Sequence, residues 1–491
     1  MKPRYSVRVV FVVMAILALL VVAGTQGAAT ADKDMSALDN VPRFQQALAK
    51  AGFSTFEGPA AYLDAVKECC TGRIIDTLGN NPWPSSYLVP QQMTPPSYPQ
   101  PFLPWIWQLR EDEAIVMVGQ TPPPAAYFSY ATFVAFLPGN PEKVSFPVGD
   151  GFNNLTIHTN GPDPFNRPIV YIITGHQDTA RRVRAAALAA GYPASIINIE
   201  TIAPAVAPLG IGLQGSLMYM LHRVTIAEDA AAVENYIKNP PYKVFRVTPN
   251  PVGVDPVFEA NAFAAPVLRV RGTGHTEMDL YPALKRLRQA ILDEYDNMSY
   301  RHLDTHIFGD NARRFGEKPY VGMQRGLDVM GATRDANYLA TQPPFALRQG
   351  VDEFAIVYGV NHAATGKATY SSFAVYADTF RMFGLKTVYS PDFGDSARRY
   401  LPDDPDADML YAWKVARDCV DDEPYCLEVT QPDFIDIDGN SYACNPPLDL
   451  NNEEIWMAFR AYLEPATKTG PDDNELLYDQ VIYFGPYFNE P

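Results

Sequence analysis

Asp112-Glu113-Ala114-Ile115-Val116-Met117-Val118-Gly119 and Asp352-Glu353-Phe354-Ala355-Ile356-Val357-Tyr358-Gly359 are one pattern written twice, 240 positions apart. Each is a short apolar run between a pair of acids and a glycine, the form of a buried strand. The same offset pairs Tyr130 and Phe133 with Tyr370 and Phe373, and Pro104-Trp105 with Pro344-Phe345. A second block, at an offset of 237, pairs Tyr219-Met220-x-x-Arg223 with Trp456-Met457-x-x-Arg460, and Val244 to Pro249 with Val481 to Pro486. Two ungapped blocks in the same order, with nearly equal offsets, predict an internal duplication.

Working outward, Tyr127 to Phe136 and Thr369 to Tyr376 are aromatic and β-branched, so each opening block reads as two strands and each copy as a sandwich of two sheets. The predicted fold is α+β and mostly β: two diverged copies of a β-sandwich-like domain joined by a helix-containing connector. The expected boundaries are a signal peptide at 1–31, an N-terminal extension at 32–84, a first β-rich repeat at 85–250, a helical connector at 251–334 and a second repeat at 335–491. Within the first copy, Pro168 to Thr174, Asp178 to Ala190 and Ser195 to Ile199 predict strand, helix and strand, with Gly191 ending the helix. The second copy has the cysteine-bearing segment Cys419 to Cys444 in that place. In the connector, Leu280, Leu284, Leu287, Ile291 and Tyr295 form one apolar stripe. Thr276 with Asp279 reads as its capping box, and the helix is expected to pack across both copies.

The amino terminus joins Lys2, Arg4 and Arg8 to an apolar run from Val9 to Val22 and a small-x-small site at Ala29-Thr30-Ala31. That layout predicts export, to the periplasm or outside the cell, with no stable membrane insertion after cleavage. The formal charge is -17, falling to -20 without those three cations, which argues against nucleic acid as a partner. Proline, at 44 of 491 residues, is about twice its usual share and suits loop-punctuated β-structure. In an oxidising compartment Cys419 can pair with Cys426, and Cys444 with one of Cys69 and Cys70, leaving one thiol over.

The chemistry-bearing candidates are few. His302-x-Asp304-x-His306 would point three side chains to one face of a strand and could hold a divalent metal; a solvated or hydrogen-bonded polar face is the favoured reading. His275, Glu277 and Asp279 are explained by a helix start. His362 lies in the loop Asn361 to Lys367, where the first copy has Thr121-Pro122-Pro123-Pro124, so the shared fold does not require it. Arg334 and Asp335, just before the second copy, could join Asn361, His362 and Lys367 in a ligand site. Gly175-His176-Gln177-Asp178 offers helix-start donors to an anion, or simply an N-cap at Asp178. Asp433, Asp436 and Asp438 before Gly439 read as a turn rather than a calcium loop, since no glutamate closes them. Arg223 and Arg460, shared by both copies, are assigned to the fold. There is no Gly-x-Ser-x-Gly, His-Glu-x-x-His, phosphate loop or dinucleotide fingerprint.

Three strand motifs carry a resemblance: Glu353-x-x-x-Val357-x-Gly359, Tyr370-x-Ser372-Phe373 and Phe459-Arg460-x-Tyr462. With them the repeat unit resembles the C-terminal β-sandwich domain of an exported bacterial family, domain of unknown function 1214. The resemblance implies a sandwich and no activity.

The leading expectation is binding of a small-molecule or carbohydrate ligand between the two copies. The alternatives are a metal-assisted hydrolytic enzyme using His302, Asp304 and His306, and a structural envelope protein.

Overall fold

Both acid-apolar-glycine runs fold as strands buried on both faces, because neither places a charged side chain on either side of its sheet. The computed structural model of the protein describes residues 37–77, 86–141, 143–250, 261–308, 333–349, 352–421 and 423–486; the expected signal peptide at 1–31 lies outside them. The first half carries α1 (Val41–Lys50), β1 (Phe53–Gly58), β2 (Ala60–Tyr62), α2 (Ala65–Cys70), β3 (Ser86–Pro90), β4 (Ala114–Gln120), β5 (Ala125–Phe136), β6 (Phe146–Pro147) and β7 (Phe152–Asn153). It continues with β8 (Pro168–Thr174), α3 (Gln177–Ala189), β9 (Ile197–Thr201), β10 (Leu217–Ala227), α4 (Ala230–Lys238) and β11 (Tyr242–Pro249). The second half carries α5 (Tyr281–Glu294), β12 (Tyr300–Ile307), β13 (Ala336–Gln342), β14 (Phe354–Val360), β15 (Tyr370–Ala377) and β16 (Phe383–Tyr389). Its last strands are β17 (Leu410–Ala416), β18 (Cys426–Glu428), β19 (Ile455–Tyr462) and β20 (Gln480–Phe484).

The protein is mostly β. The first half forms two sheets, β1-β11-β4-β8-β9 and β2-β3-β10-β5-β6, with β7 also on β5. The second forms one curled sheet, β16-β15-β19-β13-β12-β20-β14-β17-β18. One strand makes the difference. β12 runs unbroken from β20, which it pairs through Tyr300 to Leu303, to β13, which it pairs through Asp304 to Ile307. In the first half Gly58-Pro59 divides the run into β1 on β11 and β2 on β3. Proline cannot donate to a ladder, and a Cβ on Gly58 would lie 2.4 Å from the Gln91 carbonyl oxygen.

Met117 pairs with Val244 and Val357 with Val481, in keeping with offsets of 240 and 237. The next strand departs from expectation: Arg223 pairs with Ser129, and Arg460 with Ser372. Residues at matching ladder positions on β5 and β15 are therefore 243 apart, so Tyr127, not Tyr130, stands where Tyr370 does. The longer loop at 361–369 accounts for the slip.

The inner faces of the two first-half sheets enclose one core, including Ile115, Phe128, Tyr130, Tyr171, Met220 and Val244. Phe44 and Leu48 of α1 and Val183 of α3 cover the outer face of the β4 sheet. In the second half Ala283, Leu284, Leu287 and Ile291 of α5 cover Phe354, Ile356 and Tyr358 of β14. That corrects the expected placement of α5: its stripe serves the second half's sheet rather than bridging both halves. Its cap is corrected too. A 3-10 turn, Met278–Leu280, leads into the helix, and Leu280 is an N-cap with no side-chain bond.

Glu113 and Arg246 form a fully buried ion pair at 2.7 Å. At matching positions Glu353 accepts from Tyr483. The predicted disulfides are both present, Cys70 to Cys444 and Cys419 to Cys426, and Cys69 is the buried thiol left over. Among the described residues no helix is long and apolar enough to cross a membrane. At α4, Asp229 accepts from the amides of Ala231 and Ala232 at 3.0 and 3.1 Å. Asp229→Ala is expected to cost about 1 kcal/mol, read from the urea midpoint at unchanged slope.

Candidate functional site

The loop after β14 carries His362 inward rather than into a cleft. Its side chain is buried; Nδ1 lies 2.8 and 3.0 Å from the two Glu277 carboxylate oxygens, and Nε2 lies 3.7 Å from Asp479. Glu277 also accepts from Thr365 Oγ1 at 2.7 Å and the Leu477 amide at 2.9 Å, and Asp479 accepts from Tyr411 at 2.6 Å. Burial opposes the imidazolium, but Glu277 and Asp479 outweigh it and raise the His362 pKa to about 10. Glu277 is correspondingly held below the usual carboxylate range, burial being outweighed by His362. Of the helix-start acids noted in the sequence, Glu277 therefore has a specific partner that spacing could not reveal.

Lys367, from the same loop, is buried with its Nζ 2.9 Å from Thr273 Oγ1, 2.9 Å from Glu464 and 2.5 Å from Glu475. Asn361 turns its Oδ1 back onto the amides of Ala363 and Ala364. Arg334 donates to Asp150 at 3.0 Å and to the Arg269 carbonyl. Asp335 accepts from Asn153 at 2.8 Å and Tyr127 at 3.0 Å, with Arg269 at 3.8 Å. The five expected ligand residues are thus brought near one seam, where segment 269–277 crosses the second half, and their polar atoms are turned onto neighbouring protein groups. The arrangement holds charges in place; it does not present them to a ligand.

Asp335 differs from the rest in its titration. Burial raises its pKa to about 6, against the pull of Arg269, Asn153 and Tyr127. A carboxyl raised in the folded state contributes stability that is present below its unfolded pKa and is lost as pH rises through about 6. Wild-type unfolding free energy is expected to carry this downward component between about pH 4 and 6, and Asp335→Asn to lack it; parallel urea titrations at stepped pH measure the difference.

His302, Asp304 and His306 do share β12, but the strand leaves His302 and Asp304 exposed. His302 Nε2 lies 2.5 Å from an Arg288 guanidinium nitrogen, and partial desolvation of the ring together with the Arg288 charge lowers its pKa. Among the described residues no group of three or more His, Cys, Asp or Glu side chains is placed to hold a metal ion. The Asp436 segment is the expected turn: Oδ1 accepts from the amides of Asp438 and Asn440, and Lys67 Nζ sits 2.7 Å from Oδ2, where a cation would compete. At α3 it is His176, not Asp178, that caps, accepting from the Thr179 amide; Asp178 pairs with Arg181.

Arg223 and Arg460 prove to face the junction of the halves. Tyr87, Arg223 and Ser129 form a row across β3, β10 and β5, and Tyr338, Arg460 and Ser372 a row across β13, β19 and β15. Arg223 donates to Tyr338 at 3.4 Å, and Arg460 lies over the Tyr338 and Tyr376 rings. Tyr127 and Tyr370, at matching positions, touch each other with centroids 6.0 Å apart.

An open groove lies elsewhere along the junction. Tyr62, Asp64, Val66 and Glu234 of the first half face Phe383 to Leu385, Pro432 to Ile437 and Tyr442 of the second, around a volume of about 380 Å³. Phe434 packs between Phe383 and Tyr442, centroids 6.0 and 5.7 Å away. β2 and α2 deliver Tyr62 and Asp64, and α4 delivers Glu234. The Cys70 to Cys444 bridge clamps α2 beside the Asp436 turn. None of these lining residues was singled out in the sequence as a ligand-binding group. The aromatic residues and acids are too common to signal a site until the two halves bring them together.

No family model matches the chain, and no curated relative does. A solved structure described as an uncharacterized protein from Burkholderia cenocepacia aligns with 91% of this chain and 87% of its own, at 8% identity and a TM-score of 0.34.

Proposed function

We propose that this is an extracytoplasmic protein that binds a small, carbohydrate-like molecule in the groove between its halves. The observation that carries this reading is the lining: Tyr62, Phe383, Phe434 and Tyr442 supply apolar ring surface, while Asp64, Glu234 and Asp433 supply hydroxyl acceptors. Mixed ring and carboxylate walls suit a ligand with an apolar ring face and a polar rim. The export signal in the sequence and the two disulfides support the location.

The proposal includes a duplicated architecture of the kind suggested by the resemblance to domain of unknown function 1214. Support comes from the shared strand order, the paired Tyr-Arg-Ser rows, and the contact of Tyr127 with Tyr370, as at a two-fold axis. The proline-started α1 and α5 each precede the first strand of their half. This extends the unit upstream into both the N-terminal segment and the connector.

The test is thermal shift and calorimetry against a panel of mono- and disaccharides, with Phe434→Ala and Tyr442→Ala as paired variants. At least one sugar should stabilise the wild type, and loss of either ring should weaken it about tenfold, the ring contact being worth about 1 kcal/mol or more. Sugars that bind the variants as well as the wild type, or bind neither, would refute the groove.

A further inference from the structure

The groove's walls also speak to the charge of what enters. Four carboxylates line it, two from each half, and no Lys, Arg or His is among its lining residues. Aromatic faces attract cations through their quadrupoles, and the effect adds to that of neighbouring carboxylates. The protein uses this pairing itself at the groove's edge: Lys67 Nζ lies 5.9 Å over the Tyr442 ring and 2.7 Å from Asp436. On the opposite wall Glu234 is met by Lys238 at 2.8 Å. Asp64 spends one oxygen on the Lys67 amide as the cap of α2, and Asp433 stands exposed at the rim. These two acids, beside Tyr62 and Phe434, are where an incoming ammonium would gain most.

Resting on the groove reading above, we infer that the ligand carries an organic ammonium group, with an amino sugar as the simplest member of the class. The ammonium enters over the Tyr62, Phe434 and Tyr442 rings between Asp64 and Asp433, and anionic sugars are turned away by the same carboxylates. The overall charge of -17 acts in the same direction at longer range.

The experiment compares glucosamine, glucose, glucuronate and tetramethylammonium by calorimetry on the mature protein at low and at high salt. Glucosamine should bind at least tenfold more tightly than glucose, tetramethylammonium should compete with it, and glucuronate should not bind. High salt should narrow the gap between glucosamine and glucose, because charge at a half-open groove is screened. Asp64→Asn with Asp433→Asn, in which asparagine keeps the cap, should narrow it as well. Equal binding of glucose and glucosamine, or a gap unmoved by salt and by the double variant, would overturn the inference while leaving the groove reading in place. Failure of every sugar, in this set and in the wider panel, would remove both.

Discussion

His362→Ala should lower the unfolding free energy by about 3–5 kcal/mol, the loss that follows when one partner is removed from a buried ion pair. The imidazole sits between Glu277 and Asp479, all three buried, so the variant leaves two carboxylates facing each other across a cavity. They cannot both remain charged there without cost, because all three positions are buried. Urea denaturation at neutral pH measures the loss. A companion variant separates charge from packing: Glu277→Gln with His362→Gln removes one acid together with the cation, and should recover part of the stability. If His362→Ala falls within about 1 kcal/mol of wild type, the cluster is not the clamp that its geometry indicates.

The pH dependence of the same cluster has a definite sign. His362 is raised from 6.5 to about 10, so its contribution is fully present below pH 6.5 and is lost as pH rises through 10. Glu277 is lowered, so its contribution is present above the ordinary glutamate pKa and is lost as pH falls below it. Together they predict a plateau between pH 4.5 and 6.5, with a progressive loss from there up to about pH 10 and a second loss on the acid side. In His362→Ala the alkaline loss should disappear.

The second large effect is expected from the Cys70 to Cys444 bridge, which joins residues 374 apart in the chain. On chain entropy a loop of that length restricts the unfolded state by about 5 kcal/mol or somewhat more, and Cys444→Ser should cost a comparable amount. Cys444 is the residue to replace, because Cys69 stands beside Cys70 and could take over its role. The bridge holds α2 against the second half with help from Lys67 on Asp436, the Asn445 amide on the Cys70 carbonyl and the Thr77 amide on the Arg381 carbonyl. Those contacts let the variant fold, so its denaturation midpoint can be compared with that of wild type. The same variant should loosen Tyr62, Asp64 and the Asp436 turn, and weaken any ligand held between them. A loss below about 1 kcal/mol would mean that the unfolded chain is already compact near these residues.

Much of the fold was legible because it is written locally. The runs at 114–119 and 354–359 announce buried strands by composition alone, and Gly191, with its φ of +98°, ends α3 where expected. The disulfides were legible from the count and placement of the cysteines. What misled was extrapolation: a constant offset hid a three-residue slip in β5 against β15, since loops absorb insertions that ladders cannot. The apolar stripe of α5 was also read correctly as a stripe, yet a stripe does not name the surface it will cover.

The candidate site was less legible still. His362 was found as a histidine that the first half's corresponding loop lacks, and Lys367, Arg334 and Asp335 as polar neighbours that could join it; the structure gives each of them protein partners. The groove that stands open is lined by residues of ordinary type from five separate stretches of chain.

By itself, then, the sequence determined the main strands and helices and the disulfide pairs, which follow from periodicity, turn chemistry and cysteine count. Only the tertiary structure decided which charges neutralise one another and which are left facing a cavity. Coulomb attraction and desolvation depend on distance and burial in space, and Glu277 meets His362 across 85 residues of chain that no spacing rule connects.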